Sequence, residues 1–144
     1  MPDLNVQAFG CTLPMSRRAV RRVITSVLVG ERRRPAAVSV TFLSAPRMRA
    51  LNRRTLRHDR VTDVIAFGMT HAGRRAADIY VCPAKARAAR RRWGIPLREE
   101  LVRLIVHGLL HALGYDHPEG AGRTTSRMWL RQERYVQRLA NRPQ

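Results

Sequence analysis

Three histidines, His107, His111 and His117, have the residue type and spacing needed to hold one metal ion. On a helix, residues 107 and 111 lie four positions apart and project from one face a single turn from each other, so both imidazoles can grip the same ion. Gly114 supplies the left-handed or tight-turn conformation that stops a helix, and Pro118 prevents its resumption. The chain then turns back, and His117 can swing round as a third ligand. Three ligands leave a fourth position open, the arrangement of a catalytic zinc site rather than a closed structural one.

The spacing H-x3-H-x2-G-x2-H is also that of the metzincin zinc enzymes. In a zinc protease the residue after the first histidine is the glutamate that takes a proton from water, and here it is Gly108. A protease reading therefore lacks its base. A single histidine on an apolar helix face is usually a packed core residue, but three in register with a helix-stopping glycine favour the metal.

The stretch His107-Gly108-x-Leu110-His111-x-Leu113-Gly114-Tyr115-Asp116-His117 resembles the signature of the YbeY family of bacterial zinc-dependent endoribonucleases, which act in ribosomal RNA maturation. Leu51-Asn52 followed by Thr62-Asp63-Val64-Ile65-x-Phe67 is similar to a second family block. Asp78-Ile79 is similar to a third, with Ala77 in place of its glycine. The resemblance spans roughly residues 40 to 135. It implies one Zn²⁺ per chain held by His107, His111 and His117, and RNA, in the form of ribosomal RNA precursor or the ribosome, as partner. Many relatives carry an arginine near the metal in a column that falls on Leu56, so the resemblance leaves Arg57, with Arg53 and Arg54 a turn earlier, as candidate substitutes.

Composition agrees with a polyanion partner. The chain has 28 Lys+Arg against 10 Asp+Glu, a formal charge of +18, and every basic residue but Lys85 is arginine. Guanidinium groups recognise phosphate in a planar, bidentate way. Genomic base composition explains part of the arginine-for-lysine bias, but not the shortage of acids. No apolar run approaches 18 residues, and Met1 to Thr12 has neither a basic start nor an apolar core, so neither a membrane span nor a signal peptide is expected. The chain reads as one cytoplasmic domain of residues 1–144. Cys11 and Cys82 stand far apart and read as buried small residues.

Positioning the histidines requires a scaffold, and hydrophobic periodicity outlines one. Strands are expected over Asp3–Phe9, Ala37–Leu43, Val61–Phe67 (closed by Gly68) and Ala76–Cys82, with Arg74-Arg75 in the turn before the last. Helices are expected over Arg17–Leu28 (ended by Gly30), from a Ser44 N-cap with Met48, Leu51 and Leu56 buried, over Pro83–Trp93, from Leu97 through the histidines, and over Thr124–Leu139. The order β-α-β-α-β-β-α followed by two helices predicts an α+β fold, a small mixed β-sheet covered by helices, with a zinc-hydrolase-like cleft and the three-His site at a helix end.

Other residues take narrower expectations. Asp116 can orient a histidine, relay a proton or simply cap a turn. Asp63 and Asp78, in or beside apolar strands, should each have a partner. Glu99 and Glu100 lie too far before His107 to act as the missing base. Met128 reads as a core methionine rather than a floor beneath the metal. His58 and His71 read as loop residues. Arg53, Arg54, Arg57, Arg87, Arg90 and Arg91 are the candidate RNA-binding set, and Arg57 and Asp116 the candidate catalytic pair. The function expected is a single-strand-preferring, zinc-dependent endoribonuclease without DNA preference. The alternatives are a non-catalytic ribosome- or RNA-binding factor with structural zinc and, further off, a metalloprotease.

Overall fold

The structure, a computed structural model, describes residues 1–117 and 120–140, the side chain of His71 aside. Four strands form one sheet in the order β1-β2-β4-β3: β1 (Asp3–Phe9), β2 (Ala37–Leu43), β3 (Val64–His71) and β4 (Arg74–Val81). β1 and β4 flank β2 in parallel, and β3 runs antiparallel to β4, so the sheet is mixed as the element order predicts. Helices α1 (Arg17–Glu31), α2 (Ala45–Thr55), α3 (Pro83–Trp93), α4 (Leu97–Ala112) and α5 (Arg127–Leu139) complete the α+β fold. Among the described residues no helix is long and apolar enough to cross a membrane.

Alternation along the strands sorts their side chains between two cores. Val38, Val40 and Phe42 of β2 join Ala77, Ile79 and Val81 of β4 in a main core with α1, α4 and α5. Ile65 contributes to a smaller cluster with Met48, Leu51 and Cys82, against which Phe67 and Tyr80 pack. Helix α4 lies deepest: nine of its residues are buried, including Gly108. A Cβ at Gly108 would come within 2.7 Å of Ile79 Cγ2 and 3.2 Å of Val64 Cγ2. The glycine thus lets α4 lie close on β3 and β4, and a glutamate would have no room there.

Several boundaries differ from the sequence expectation. β3 continues through Gly68 to His71, and Arg74 and Arg75 belong to β4 rather than to a turn. The turn is Ala72-Gly73, both at positive φ, as a two-residue hairpin with matching twist requires. Gly68 marks instead a close approach, since a Cβ there would collide with the Ala112 carbonyl at the end of α4. Gly30 likewise does not end α1: the helix runs one residue further, and the space a Cβ would need is filled by the Tyr135 ring. Leu56 is not buried but 47% exposed. α5 starts at Arg127, after a 3₁₀ turn, with Ser126 Oγ accepting the Trp129 amide.

Candidate metal centre

The end of α4 is built as the histidine spacing requires. Gly114 adopts φ 111° and donates its amide to the His111 carbonyl, while the Tyr115 amide reaches back to the Leu110 carbonyl. This paired closure is a Schellman motif, and it turns the chain sharply after His111. Two arginines hold the same end: Arg33 donates to the Leu113 carbonyl at 3.1 Å and Arg75 to the Ala112 carbonyl at 2.8 Å. They satisfy helix-terminal acceptors and place positive charge at the negative end of the dipole. Pro118, expected to stop the helix from resuming, lies outside the described residues.

His107, His111 and His117 all line one pocket of about 200 Å³, together with Gly108, Leu56 and Val64 to Ala66 of β3. The His107 and His117 rings have centroids 5.1 Å apart and are tilted by 53°. The structure thus brings the three histidines singled out by their spacing to the lining of one cavity. His107 and His111 are fixed by α4, whereas His117 lies beyond the Schellman turn on irregular chain.

His107 is oriented from behind. Its Nδ1 lies 2.7 Å from Oε1 of Gln132 on α5. Gln132 is 1% exposed, and its Nε2 donates to Glu133 Oε2 at 2.9 Å. Glu133 in turn accepts two hydrogen bonds from Arg103, both at 2.9 Å. An ionised carboxylate only accepts, so Glu133 dictates which way the Gln132 amide points, and the amide oxygen dictates that Nδ1 of His107 carries the proton. Nε2 is thereby left with its lone pair, as metal ligation requires. Burial lowers the His107 pKa, with the charges of His117 and Arg123 pushing the same way against the Gln132 hydrogen bond and Asp63. The neutral, ligating form is favoured.

The other site expectations find their places. Asp116 is exposed, and its Oδ1 accepts the His117 amide at 2.9 Å, a turn-capping contact beside the third histidine. The preceding residue is anchored more deeply, since Tyr115 donates to Glu31 Oε1 at 2.6 Å. Arg57 is exposed and held at φ 60°, while its neighbour Leu56 lines the pocket. Arg53, Arg54, Arg87, Arg90 and Arg91 are exposed on α2 and α3. Arg49 pairs with Asp59 at 2.8 Å, and Arg53 approaches the same carboxylate at 3.8 Å. Asp78 accepts from Ser39 at 2.7 Å, and Asp63, exposed before β3, accepts the Val64 amide. Glu99 and Glu100 are tied to Arg103. Met128 is 1% exposed, within the main core.

Sequence reasoning passed over Gln132, Arg33 and Arg75. The signal for Gln132 was a polar residue in register with Met128, Tyr135, Val136 and Leu139 on the buried stripe of α5, since a buried amide needs a partner. The two arginines carried no such mark, because helix capping across the fold depends on tertiary placement.

Comparison with known proteins agrees with this architecture. A family model described as Endoribonuclease YbeY matches residues 8–140. The Endoribonuclease YbeY of Chlorobium luteolum is 31% identical over 120 residues, covering 82% of this chain and 85% of the relative. That of Chlorobaculum tepidum is 32% identical over 117 residues, covering 81% and 84%. A solution structure of a Thermotoga maritima protein superposes with a TM-score of 0.65 at 24% identity, over 94% of this chain and 88% of that one, and shares the fold. By the family model and by these relatives, the chain belongs to the YbeY family of endoribonucleases, hydrolases that cleave RNA.

Proposed function

We propose that this chain is a zinc-dependent endoribonuclease that prefers single-stranded RNA and acts on ribosomal RNA precursors in the cytoplasm. The observation that carries the reading is the common pocket of His107, His111 and His117, with Gln132 committing Nδ1 of His107 and so presenting Nε2 to the cavity. The donor set fits the ion: three imidazoles suit Zn²⁺, and Cys82 is buried in the separate smaller cluster. Zn²⁺ bound there supplies Lewis acidity toward a phosphodiester.

The protein's own residues do the rest. Gln132, Glu133 and Arg103 hold the His107 ring; the Schellman turn and Asp116 aim the segment bearing His117. The exposed arginines of α2 and α3 attract the RNA backbone. A single strand can follow a narrow cleft and expose its backbone, whereas a stiff duplex resists the bend. Of the candidate catalytic pair, Arg57 supplies charge near the developing phosphorane and Asp116 sets the His117 backbone.

The test is cleavage of a labelled single-stranded RNA and a matched duplex by the native protein and by His111→Ala, with zinc content measured in both. Cleavage of the single strand by the native protein and its loss in the zinc-depleted variant support the reading. Equal cleavage by both assigns the activity to a contaminant. Binding of RNA without cleavage by either favours a non-catalytic RNA-binding factor with structural zinc.

A further inference from the structure

A groove of about 1030 Å³ runs beside the histidine pocket, bounded by α3, α4, α5 and the segment before β3. Trp93 and Trp129 both line it, and they are the chain's two tryptophans. Trp93 is 66% exposed, an unusual place for the largest apolar side chain unless its face has work to do. Each indole carries a guanidinium over its ring, Arg92 at 4.8 Å above Trp93 and Arg123 at 5.4 Å above Trp129.

The groove and the pocket are neighbours along a single helix face. Glu100, Arg103 and Leu104 of α4 line the groove, and His107, Gly108 and His111 line the pocket. These positions recur at helical spacing, so the surface passes from one to the other within about one turn, roughly 5 Å. The segment before β3 makes the same transition, since Thr62 and Asp63 line the groove and Val64 the pocket.

The two indoles and the charge beside them together identify the occupant. Glu100 and Glu133 on the groove wall are both paired with Arg103, and Asp63 adds a third carboxylate to the lining. Arg60 and Lys85 with Arg103 match these carboxylates, and the positive excess comes from Arg90, Arg91 and Arg92 of α3, exposed beside Trp93. A ligand that offers flat aromatic faces joined by anions satisfies both features. Aromatic platforms beside a basic helix face take successive bases of a single strand, whereas a duplex keeps its bases stacked on each other.

We propose that the groove walled by Trp93 and Trp129 is a nucleobase-stacking subsite, which seats unpaired bases flanking the phosphate presented to the histidine pocket. This rests on the reading of the chain as a nuclease for single-stranded RNA, and it names the residues that would select the single strand.

The protein would be titrated, in chelator so that nothing is cut, with a 12-nucleotide oligoadenylate and with the matching duplex, while indole emission is followed. The single strand is expected to quench the emission and the duplex to leave it unchanged. Trp93→Ala, at an exposed position where the fold is indifferent, is expected to weaken oligoadenylate binding by about five- to a hundredfold, the range of one lost stacking contact. Trp129→Phe keeps a ring at the half-buried position and is expected to weaken it less.

Oligoadenylate binding with unchanged emission and undiminished affinity in Trp93→Ala would overturn the subsite. So would a groove that binds no RNA at all, the result expected if a protein partner covers it. Cleavage by the metal-loaded protein separates this from the parent reading. Quenching without cleavage keeps the subsite and removes the nuclease, and cleavage without quenching does the reverse.

Discussion

Gln132 Oε1 stands 2.7 Å from His107 Nδ1, and the same amide donates to Glu133. A neutral residue on α5 thus fixes the proton and the ring angle of a histidine on α4, through an orientation that Glu133 and Arg103 impose. Replacing Gln132 with Leu keeps the volume near constant but frees the ring. Zinc affinity is expected to fall by about 10–100-fold, the usual effect of losing the group behind a metal-ligating histidine. Competition with a chromophoric chelator measures it, and far-UV circular dichroism checks that α5 remains folded. Unchanged affinity would mean that packing alone sets the ring.

Glu31 anchors the turn that carries the third histidine. Its side chain is 3% exposed and accepts from Tyr115, from Tyr135 and from Arg131. Burial alone would raise its pKa, but these hydrogen bonds outweigh burial and hold it below the ordinary glutamate value. The same contacts raise the Tyr135 hydroxyl, by burial first and then by Glu31, to about 12. With a folded pKa below the unfolded value of about 4.3, the stabilisation is complete above that value and is lost as the pH falls through the folded pKa. Glu31→Gln is expected to cost about 1.5–3 kcal/mol at neutral pH, the range for a hydrogen bond to a charged group. The gap in melting temperature between native protein and variant should narrow in acid; a gap constant with pH would exclude the carboxylate charge as its origin.

Gly108 is the residue that separates this site from a protease, and packing gives it a second duty. Gly108→Ala gains up to about 1 kcal/mol of helix propensity. It also drives a methyl to 2.7 Å from Ile79 Cγ2, in a core where Ile79 is fully buried. Overpacking of this kind costs about 1–3 kcal/mol, so the net change is expected to be a loss, read as a lower melting temperature. Gly108→Glu should unfold the chain rather than confer peptide cleavage. A stabilised Gly108→Ala would show that α4 can lift from the sheet at little cost.

The histidine motif was legible because its chemistry is local: one helix turn, one glycine and one reversal put three rings on one cavity. The element order was legible for the same reason, since periodicity over seven or more residues is a property of the chain itself. Glycines misled where their role was tertiary. Gly30 and Gly68 read as stops, but their missing Cβ atoms admit the Tyr135 ring and the Ala112 carbonyl, neighbours far away in sequence. Ala72-Gly73 was missed because alanine at positive φ is a poor turn signal, even though the hairpin needs that geometry. The groove between Trp93 and Trp129 was beyond reach for a different reason: its walls come from segments that meet only in the folded molecule.

Arg57 gives a test in which stability and activity move in opposite directions. Its φ of 60° places a residue other than glycine in the left-handed region. That conformation costs about 1–2 kcal/mol for a residue with a Cβ. Glycine relieves the cost but loses about 0.5–1 kcal/mol through the greater freedom of its unfolded chain. Arg57→Gly is therefore expected to stabilise the protein, by up to about 1.5 kcal/mol. If the guanidinium serves the phosphate, the same substitution lowers RNA cleavage, and Leu56→Arg, at the adjacent position that lines the histidine pocket, should restore it in the double variant. Single-turnover cleavage measured beside thermal melts reads both effects. A more stable Arg57→Gly with undiminished cleavage would remove Arg57 from the catalytic machinery and leave its left-handed backbone as a cost that the loop after α2 simply carries.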